Sequence, residues 1–183
     1  MASSTPAIKL TYDDYRNTPD DERYELLDGE LVMAPAPRLS HQRVAMQLGA
    51  LIHVFVQERG LGQVFAAPCD VVLSNTDVVQ PDLLFVSRER EHVLRNGDNV
   101  RGAPDVVVEI LSPTTAARDR TFKRELYAKH GVKEYWLVDP DAKTVTVLLL
   151  KERSFAVAGI YGPGQNLTSS TLQGFAFDPD EIF

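Results

Sequence analysis

A run of branched apolar residues that contains one carboxylate constrains this chain more than any other feature. The run is VVVEIL, Val106 to Leu111, and its continuity is typical of a strand buried on both faces of a sheet. Glu109 is costly in such a setting unless it is paired, protonated or bound to a cation. The interior of the fold must therefore accommodate this carboxylate.

A helix is predicted directly after this strand. Ser-Pro ends the strand, and an amphipathic pattern runs from Arg118 to Lys129, with Phe122 and Leu126 on its apolar face. Lys123 lies early in the helix, near the strand end that carries Glu109. Taken alone, such a lysine is typical of a helix surface.

An earlier stretch has the same sequence pattern as the Glu109 strand. Val78 to Val86 is predicted as a second apolar strand, with Asp82 near its start, although aspartate after proline is also common in turns. Two buried strands with one acid each, followed by a lysine, suggest a divalent-metal phosphodiesterase site. Oxygen ligands suit a hard cation such as magnesium, and a lysine can orient the attacking water.

The remaining patterns predict an α/β fold around a mixed sheet flanked by helices, with an N-terminal β-hairpin. Asp28-Gly29 lies between two short apolar segments and fits a type I′ turn. A long helix is predicted from Ser40, as N-cap, to Arg59. The unit from Val106 to Val138 is predicted as a right-handed parallel crossover.

Length and composition indicate one globular domain. Of 183 residues, 44% are hydrophobic and 25% charged, so residues 10–183 are predicted as a single domain behind a disordered tail, residues 1–9. No apolar run could span a bilayer and no secretory signal precedes the domain, so the expected location is the cytoplasm. The single cysteine, Cys69, is expected to be a small buried residue.

The charge balance argues against a large basic surface for nucleic acid. The net charge is −7, which still permits a nuclease, because metal ions can neutralise a cluster of acids. One segment supplies a local basic patch, and a solvated loop of mixed charge is the alternative interpretation. The arginines of this segment are Arg88, Arg90, Arg95 and Arg101.

Five segments together resemble a known bacterial family. They are YELLDGELV (24–32), SHQRV (40–44), VVQPDLLFV (78–86), PDVVVEILSP (104–113) and DRTFKRELYAKHGVKEYWLVDP (119–140). In this order they resemble the Uma-two-like family of putative restriction endonucleases, within the PD-(D/E)XK nuclease superfamily. The resemblance covers roughly residues 10–150 and implies a restriction-endonuclease-like core with a metal site at one edge of its sheet.

The resemblance also implies roles for individual residues. Asp82 matches the motif aspartate and Glu109 the second acid. The usual E-x-K would place a lysine at position 111, which is Leu111 here, so the lysine has moved to Lys123 on the next helix.

Further members of the site follow from the same resemblance. Glu25 would be an additional metal or water ligand, and the backbone carbonyl of Ile110 would complete the metal shell. His41, Asp119 and Tyr127 match as supporting residues, although His41 in a first helical turn is equally typical of a surface or capping histidine.

The implied activity is hydrolysis of nucleic acid, expected to be DNA, with Mg²⁺ or Mn²⁺ as cofactor. Because cleavage of duplex DNA needs two active sites, a homodimer is expected. One alternative is a module that keeps the fold and binds nucleic acid or a protein without cutting. Another is a structural ion pair between Glu109 and Lys123. Convergence of four side chains in an open groove would favour the nuclease over both alternatives. These side chains are Glu25, Asp82, Glu109 and Lys123.

Overall fold

The computed structural model describes residues 8–19, 22–94 and 97–183, so most of the predicted tail and Arg95 lie outside it. The chain forms a mixed α/β fold, as predicted. The strands are β1 Tyr24–Leu27, β2 Glu30–Met33, β3 Gly62–Ala66, β4 Val71–Ser74, β5 Asp77–Val79, β6 Leu83–Ser87, β7 Val100–Arg101, β8 Val106–Ile110, β9 Glu134–Asp139, β10 Thr144–Lys151, β11 Ser154–Tyr161, β12 Leu167–Thr168 and β13 Ala176–Phe177. The helices are α1 Tyr12–Tyr15, α2 Leu39–Arg59, α3 Ala116–Arg118 and α4 Arg124–His130, with a π-helical turn at Asp119–Lys123 and 3₁₀ helices at Arg88–Leu94 and Pro179–Glu181.

A six-stranded mixed sheet forms the centre of the molecule, in the order β11-β10-β9-β8-β6-β3. Strands β8 and β9 pair in parallel and are connected by the helical segment between them, so the parallel crossover is confirmed and its right-handedness stays a prediction. The other neighbours in this sheet are antiparallel. All five residues of β8 are buried, which confirms the prediction drawn from its apolar run.

A five-stranded sheet, ordered β2-β1-β5-β4-β7, carries the N-terminal hairpin. Asp28 and Gly29 connect β1 to β2 with φ angles of 50° and 81°. Both values are positive, as a type I′ turn requires, and the predicted hairpin is confirmed.

The stretch from Val78 to Val86 is not one strand, and that prediction is wrong. Strand β5 ends at Val79 in the five-stranded sheet, whereas β6 begins at Leu83 in the six-stranded sheet. Pro81 lies between them and cannot donate to a ladder, so the strand is interrupted there. Asp82 therefore lies on a short bridge between two sheets, immediately before β6.

Helix α2 matches the predicted long helix closely. It begins at Leu39 with Arg38 as its N-cap, so Ser40 lies in the first turn and is not the cap. Gly60 adopts a left-handed conformation with φ of 59° and ends the helix, as expected. Its buried face packs on the six-stranded sheet through Val44, Leu48, Ile52 and Val56.

The crossover helix differs from the prediction in which face is buried. Phe122, expected in the core, is 37% exposed, whereas Lys123 is only 4% exposed. Both residues lie in the π-helical turn, which adds a residue to the helical repeat. Spacing taken from an α-helix does not hold across such a turn, so the surface interpretation of Lys123 is wrong.

The C-terminal segment packs onto the domain through its aromatic residues. Phe175 and Phe177 are buried and lie against Trp136 of β9, with ring centroids 6.2 Å apart in each pair. Cys69 is half-buried beside the core and is therefore less enclosed than expected.

The predicted basic patch is largely used within the fold. Arg90 forms an ion pair with Asp105 at 3.6 Å, and the guanidinium of Arg101 lies 4.8 Å from the ring centroid of Tyr12. These contacts occupy Arg90 and Arg101, two of the three arginines of the segment that lie among the described residues.

Candidate active site

A cavity of about 660 Å³ collects the predicted site residues. One wall is apolar and comes from residues 34–37, Met46 and Pro68. The charged part of the lining comes from β1, the bridge before β6, the end of β8 and the π-helical turn. Of the predicted residues, Tyr127 alone does not line the cavity. Those that do are Glu25, His41, Asp82, Glu109, Ile110, Asp119 and Lys123.

Asp82 is held at the end of β8 by one of its carboxylate oxygens. Its Oδ2 accepts a hydrogen bond of 2.7 Å from the backbone N–H of Ile110 and lies 3.1 Å from Nε2 of His41. Burial lowers the pKa of His41, but the hydrogen bond and charge of Asp82 outweigh this and leave it raised. His41 thus faces the site, and its surface alternative is wrong.

Glu109 and Lys123 form a buried ion pair at 2.9 Å. The hydroxyl of Tyr127 donates to the same oxygen of Glu109, Oε1, at 2.6 Å. Burial lowers the pKa of Lys123, but Glu109, Glu25 and Asp119 together raise it above its usual value. Lys123 therefore remains a cation at neutral pH.

Glu25 reaches this pair from the other sheet. Its Oε1 lies 2.7 Å from Nζ of Lys123 and accepts a hydrogen bond of 2.9 Å from the backbone N–H of Gln80. Arg118 adds a longer contact of 3.9 Å to Oε2. Burial alone would raise the pKa of Glu25, yet these partners lower it below its usual value.

Asp119 is the least satisfied acid of the group. Its Oδ1 is buried, lies 3.7 Å from Nζ of Lys123 and has no hydrogen-bond partner among the described residues. Burial raises the pKa of Asp119, with Lys123 opposing the shift. The hydroxyl of Tyr135 is bonded to the backbone carbonyl of Asp119, which fixes the turn beneath it.

Three cavity residues were not predicted from the sequence. Gln80 binds Glu25 through its backbone N–H, and Arg23 holds the side-chain oxygen of Gln80 through contacts of 3.3 Å. Arg118 precedes the π-helical turn and faces Glu25. Gln80 stands two residues before Asp82, so the Gln-Pro-Asp sequence was the available signal, whereas nothing local marks Arg23 or Arg118.

The chemistry of the oxygen donors fits a hard divalent cation. Asp82 Oδ1 and Glu109 Oε2 make no hydrogen bond or ion pair with any described residue, and both side chains line the cavity. Carboxylate and main-chain carbonyl oxygens are the ligands that magnesium and manganese prefer. Within residues 8–19, 22–94 and 97–183, no group of three or more His, Cys, Asp or Glu side chains has the geometry of a metal site. The fit therefore depends on this pair of acids and on main-chain oxygen.

The comparisons with known proteins agree with this fold. The model of the Uma2 family, described as "putative restriction endonuclease", matches residues 11–180. A crystal structure of a putative nuclease belonging to DUF820 from Anabaena variabilis superimposes with a TM-score of 0.79 at 21% identity. The match covers 95% of this chain and 97% of that one, and it shows a shared fold. No curated protein matches the chain.

Across the described part of the chain, no helix is both long and apolar enough to cross a bilayer.

Proposed function

Because this chain belongs to the Uma2 family of putative restriction endonucleases, we propose that it is a metal-dependent nuclease that hydrolyses phosphodiester bonds, with DNA as the expected substrate. One observation carries the proposal: Glu25, Asp82, Glu109 and Lys123 come from separate elements and line a single open cavity. A purely structural ion pair would not require a cavity, nor carboxylate oxygens left free on its wall.

The position of each residue in the cavity decides its role in the proposed reaction. Asp82 and Glu109, with the carbonyl of Ile110, would hold Mg²⁺ or Mn²⁺, which when bound polarises the scissile phosphate and acidifies a coordinated water. Asp82 is positioned for this by Ile110 N–H and His41. Glu109 is positioned by Lys123 and Tyr127.

Lys123 acts as a fixed positive charge and as a hydrogen-bond donor. Because its pKa is raised, it does not release a proton readily and is unsuited to be the general base. Its ammonium group would orient the attacking water and stabilise negative charge that develops on the phosphate. Glu25 holds the ammonium in place at 2.7 Å.

The direct test is cleavage of supercoiled and single-stranded DNA with Mg²⁺ or Mn²⁺. Wild type is compared with Asp82→Ala and Lys123→Ala. Lys129→Ala is the matched control, because Lys129 is an exposed lysine on the same helical segment. We expect DNA cleavage to require metal, to be lost in both site variants and to persist in the control.

Two other outcomes would point elsewhere. Cutting that persists in both site variants would mean that a contaminant or another site is responsible. If the wild-type protein binds Mn²⁺ through Asp82 but never cuts DNA, the non-cleaving alternative is favoured. The net charge of −7, which argues against a large basic surface for nucleic acid, is the reason to test this alternative. A homodimer is part of the proposal for duplex DNA, and sedimentation with and without substrate tests it.

A further inference from the structure

The apolar part of the cavity lining has no role in the chemistry proposed above. It comes from residues 34–37, Met46 and Pro68. Alanine, proline and methionine side chains offer neither the oxygen ligands that a hard cation takes nor a donor for a phosphate. This surface therefore faces a less polar part of the substrate, which in a nucleic acid is the sugar or the base.

The acids and the lysine of the site are largely buried in the cavity. The side chains of Asp82, Glu109 and Lys123 are 17%, 6% and 5% exposed. The scissile phosphate must therefore enter the cavity, together with the nucleotide that carries it. A volume of about 660 Å³ falls in the range of pockets that enclose a small molecule. The cavity thus has room for a short piece of one strand but not for the width of a duplex.

Helix α2 connects the site to the apolar lining. His41 contacts Asp82 from the first turn of the helix, and Met46 lines the same cavity further along. At the rise of an α-helix, five residues separate these two positions by about 7.5 Å along the axis. Met46 is 75% exposed, so its side chain is open to a ligand. A nucleotide with its phosphate at Asp82 would thus place its sugar and base against Met46.

Base pairing decides whether a base can reach such a surface. In a duplex the base faces are stacked on one another, and only the base edges are open in the grooves. Proteins that bind single strands contact the exposed faces of unpaired bases. Among the described residues that line the cavity there is no Phe, Tyr or Trp. The contacts to a base would come from proline rings and from the Met46 side chain, which do not distinguish one base from another.

The charge of the lining also suits one strand better than two. Arg38 is exposed at the N-cap of α2, makes no side-chain capping bond and forms no ion pair with any described residue. The other basic side chains of the lining are bound to protein partners, since Arg23 contacts Gln80, whereas Arg118 and Lys123 contact Glu25. Proteins that neutralise about 6–10 phosphates of a duplex need many free cations, and this cavity offers one.

We propose that the cavity binds an unpaired nucleotide, so that the substrate is single-stranded DNA or an unpaired stretch within a duplex. This rests on the proposed function, because the bound phosphate is the one on which Asp82 and Glu109 would act. Pro35, Pro37 and Met46 would contact the base or sugar, and Arg38 a neighbouring phosphate. Cleavage of one strand needs one active site, so this substrate does not require a homodimer.

One labelled strand in three forms tests the substrate. The strand is offered alone, paired with its full complement, and paired with a complement that mismatches a short central stretch. With Mn²⁺, we expect the wild-type protein to cut the single strand at least about 100-fold faster than the full duplex, because a paired nucleotide must first be unstacked. In the mismatched duplex, the cuts should lie within the unpaired stretch.

Binding of the same strands, measured by fluorescence anisotropy with Ca²⁺ in place of Mn²⁺, tests the residues. Met46→Glu and Arg38→Ala should each weaken binding of the single strand about tenfold. Met46→Leu keeps an apolar side chain and should lose less than Met46→Glu. Val54→Glu is the control matched for charge, because Val54 is an exposed apolar residue of the same helix that does not line the cavity.

The outcomes separate this inference from the nuclease proposal. If the full duplex is cut as fast as the single strand and Asp82→Ala abolishes cutting, the nuclease stands and the inference is overturned. If no DNA is cut, binding alone decides. Tighter binding of the single strand that Met46→Glu weakens would support the unpaired nucleotide. Equal binding of both forms, or equal losses in Met46→Glu and Val54→Glu, would overturn it.

Discussion

Strand β8 has a buried acid at each end, and the two acids have opposite surroundings. Asp105 directly precedes the strand and is fully buried, with Lys133 at 2.7 Å, Arg90 at 3.6 Å and a hydrogen bond of 2.8 Å from the N–H of Ser87. Glu109, near the other end, lines the cavity and keeps one oxygen free of described protein partners.

This difference in surroundings shows what separates a buried acid with a structural role from one that is available to bind a ligand. Both carboxylates are buried and both have a lysine partner, so burial and pairing do not separate them. The cations of Asp105 reach in from the surface, since the Lys133 side chain is 53% exposed. The cation of Glu109 is itself buried and shared with Glu25 and Asp119. Of the two acids, Glu109 is the one that retains an oxygen for a ligand.

The largest expected effect is on catalysis. Glu109→Gln should lower kcat/KM by about 10³-fold, equivalent to about 4 kcal/mol, because an amide is a poor ligand for magnesium. The Tyr127 hydrogen bond can persist, but the loss of the buried ion pair with Lys123 should also lower thermal stability. Asp105→Asn is the matched control and should keep activity within about threefold. Equal losses in the two variants would remove the distinction between the ends of β8.

The second effect is on stability and falls on the other end of the strand. Asp105→Ala should lower the free energy of unfolding by about 2–3 kcal/mol, because the Ser87 N–H loses its acceptor and Lys133 its partner. Urea unfolding measures the change. Lys9→Ala, which removes an exposed ion pair with Asp28, should lower it by less than about 1 kcal/mol.

A smaller effect on activity should distinguish two buried tyrosines, Tyr127 and Tyr135. Tyr127→Phe removes the hydroxyl that positions Glu109, so we expect about tenfold lower activity and about 1 kcal/mol lower stability. Tyr135→Phe removes a hydroxyl bonded to the carbonyl of Asp119 and should lower stability similarly with little loss of activity. Steady-state kinetics beside thermal unfolding distinguishes them, and identical activities would contradict the positioning role of Tyr127.

The smallest effect is a dependence of stability on pH. Burial raises the pKa of Asp105, but Lys133 and Ser87 outweigh it and hold the pKa below the usual 3.8. A carboxyl whose pKa is lower in the folded state stabilises the fold above its unfolded pKa and loses this contribution on acidification. The stability gap between wild type and Asp105→Asn should thus be constant near neutral pH and shrink below about pH 3.8. Urea titrations from pH 7 to 3 measure it, and a gap that widens on acidification would reverse the sign.

The sequence predicted those parts of the site that carry a local signal. Glu109 was identified because a single acid interrupts an apolar run, and the hairpin that carries Glu25 was identified from Asp28-Gly29. Lys123 was noted as a lysine that follows the two acid-bearing stretches, and the family resemblance assigned it as the motif lysine and His41 as a supporting residue. The structure places both at the cavity. Their chemical roles stay predictions.

The parts that were missed depend on contacts between distant segments. The apolar continuity from Val78 to Val86 concealed the break at Pro81, because each half is buried in a different sheet. The burial of Lys123 depends on a π-helical turn that α-helical spacing cannot reveal. Gln80 contacts Glu25 through its backbone N–H, so the Gln-Pro-Asp sequence marks its position but not this contact.

The bridge at Gln80–Asp82 has a consequence for how this protein is made. Gln80 holds Glu25 of one sheet while Asp82 holds the end of β8 in the other. Lys123 then joins Glu25 of one sheet to Glu109 of the other. A nascent chain that has left the ribosome only as far as β8 lacks the lysine and the turn that seats it. The cavity is therefore incomplete at that stage of synthesis, and the proposed DNA cutting can begin only after the crossover helix has emerged and packed.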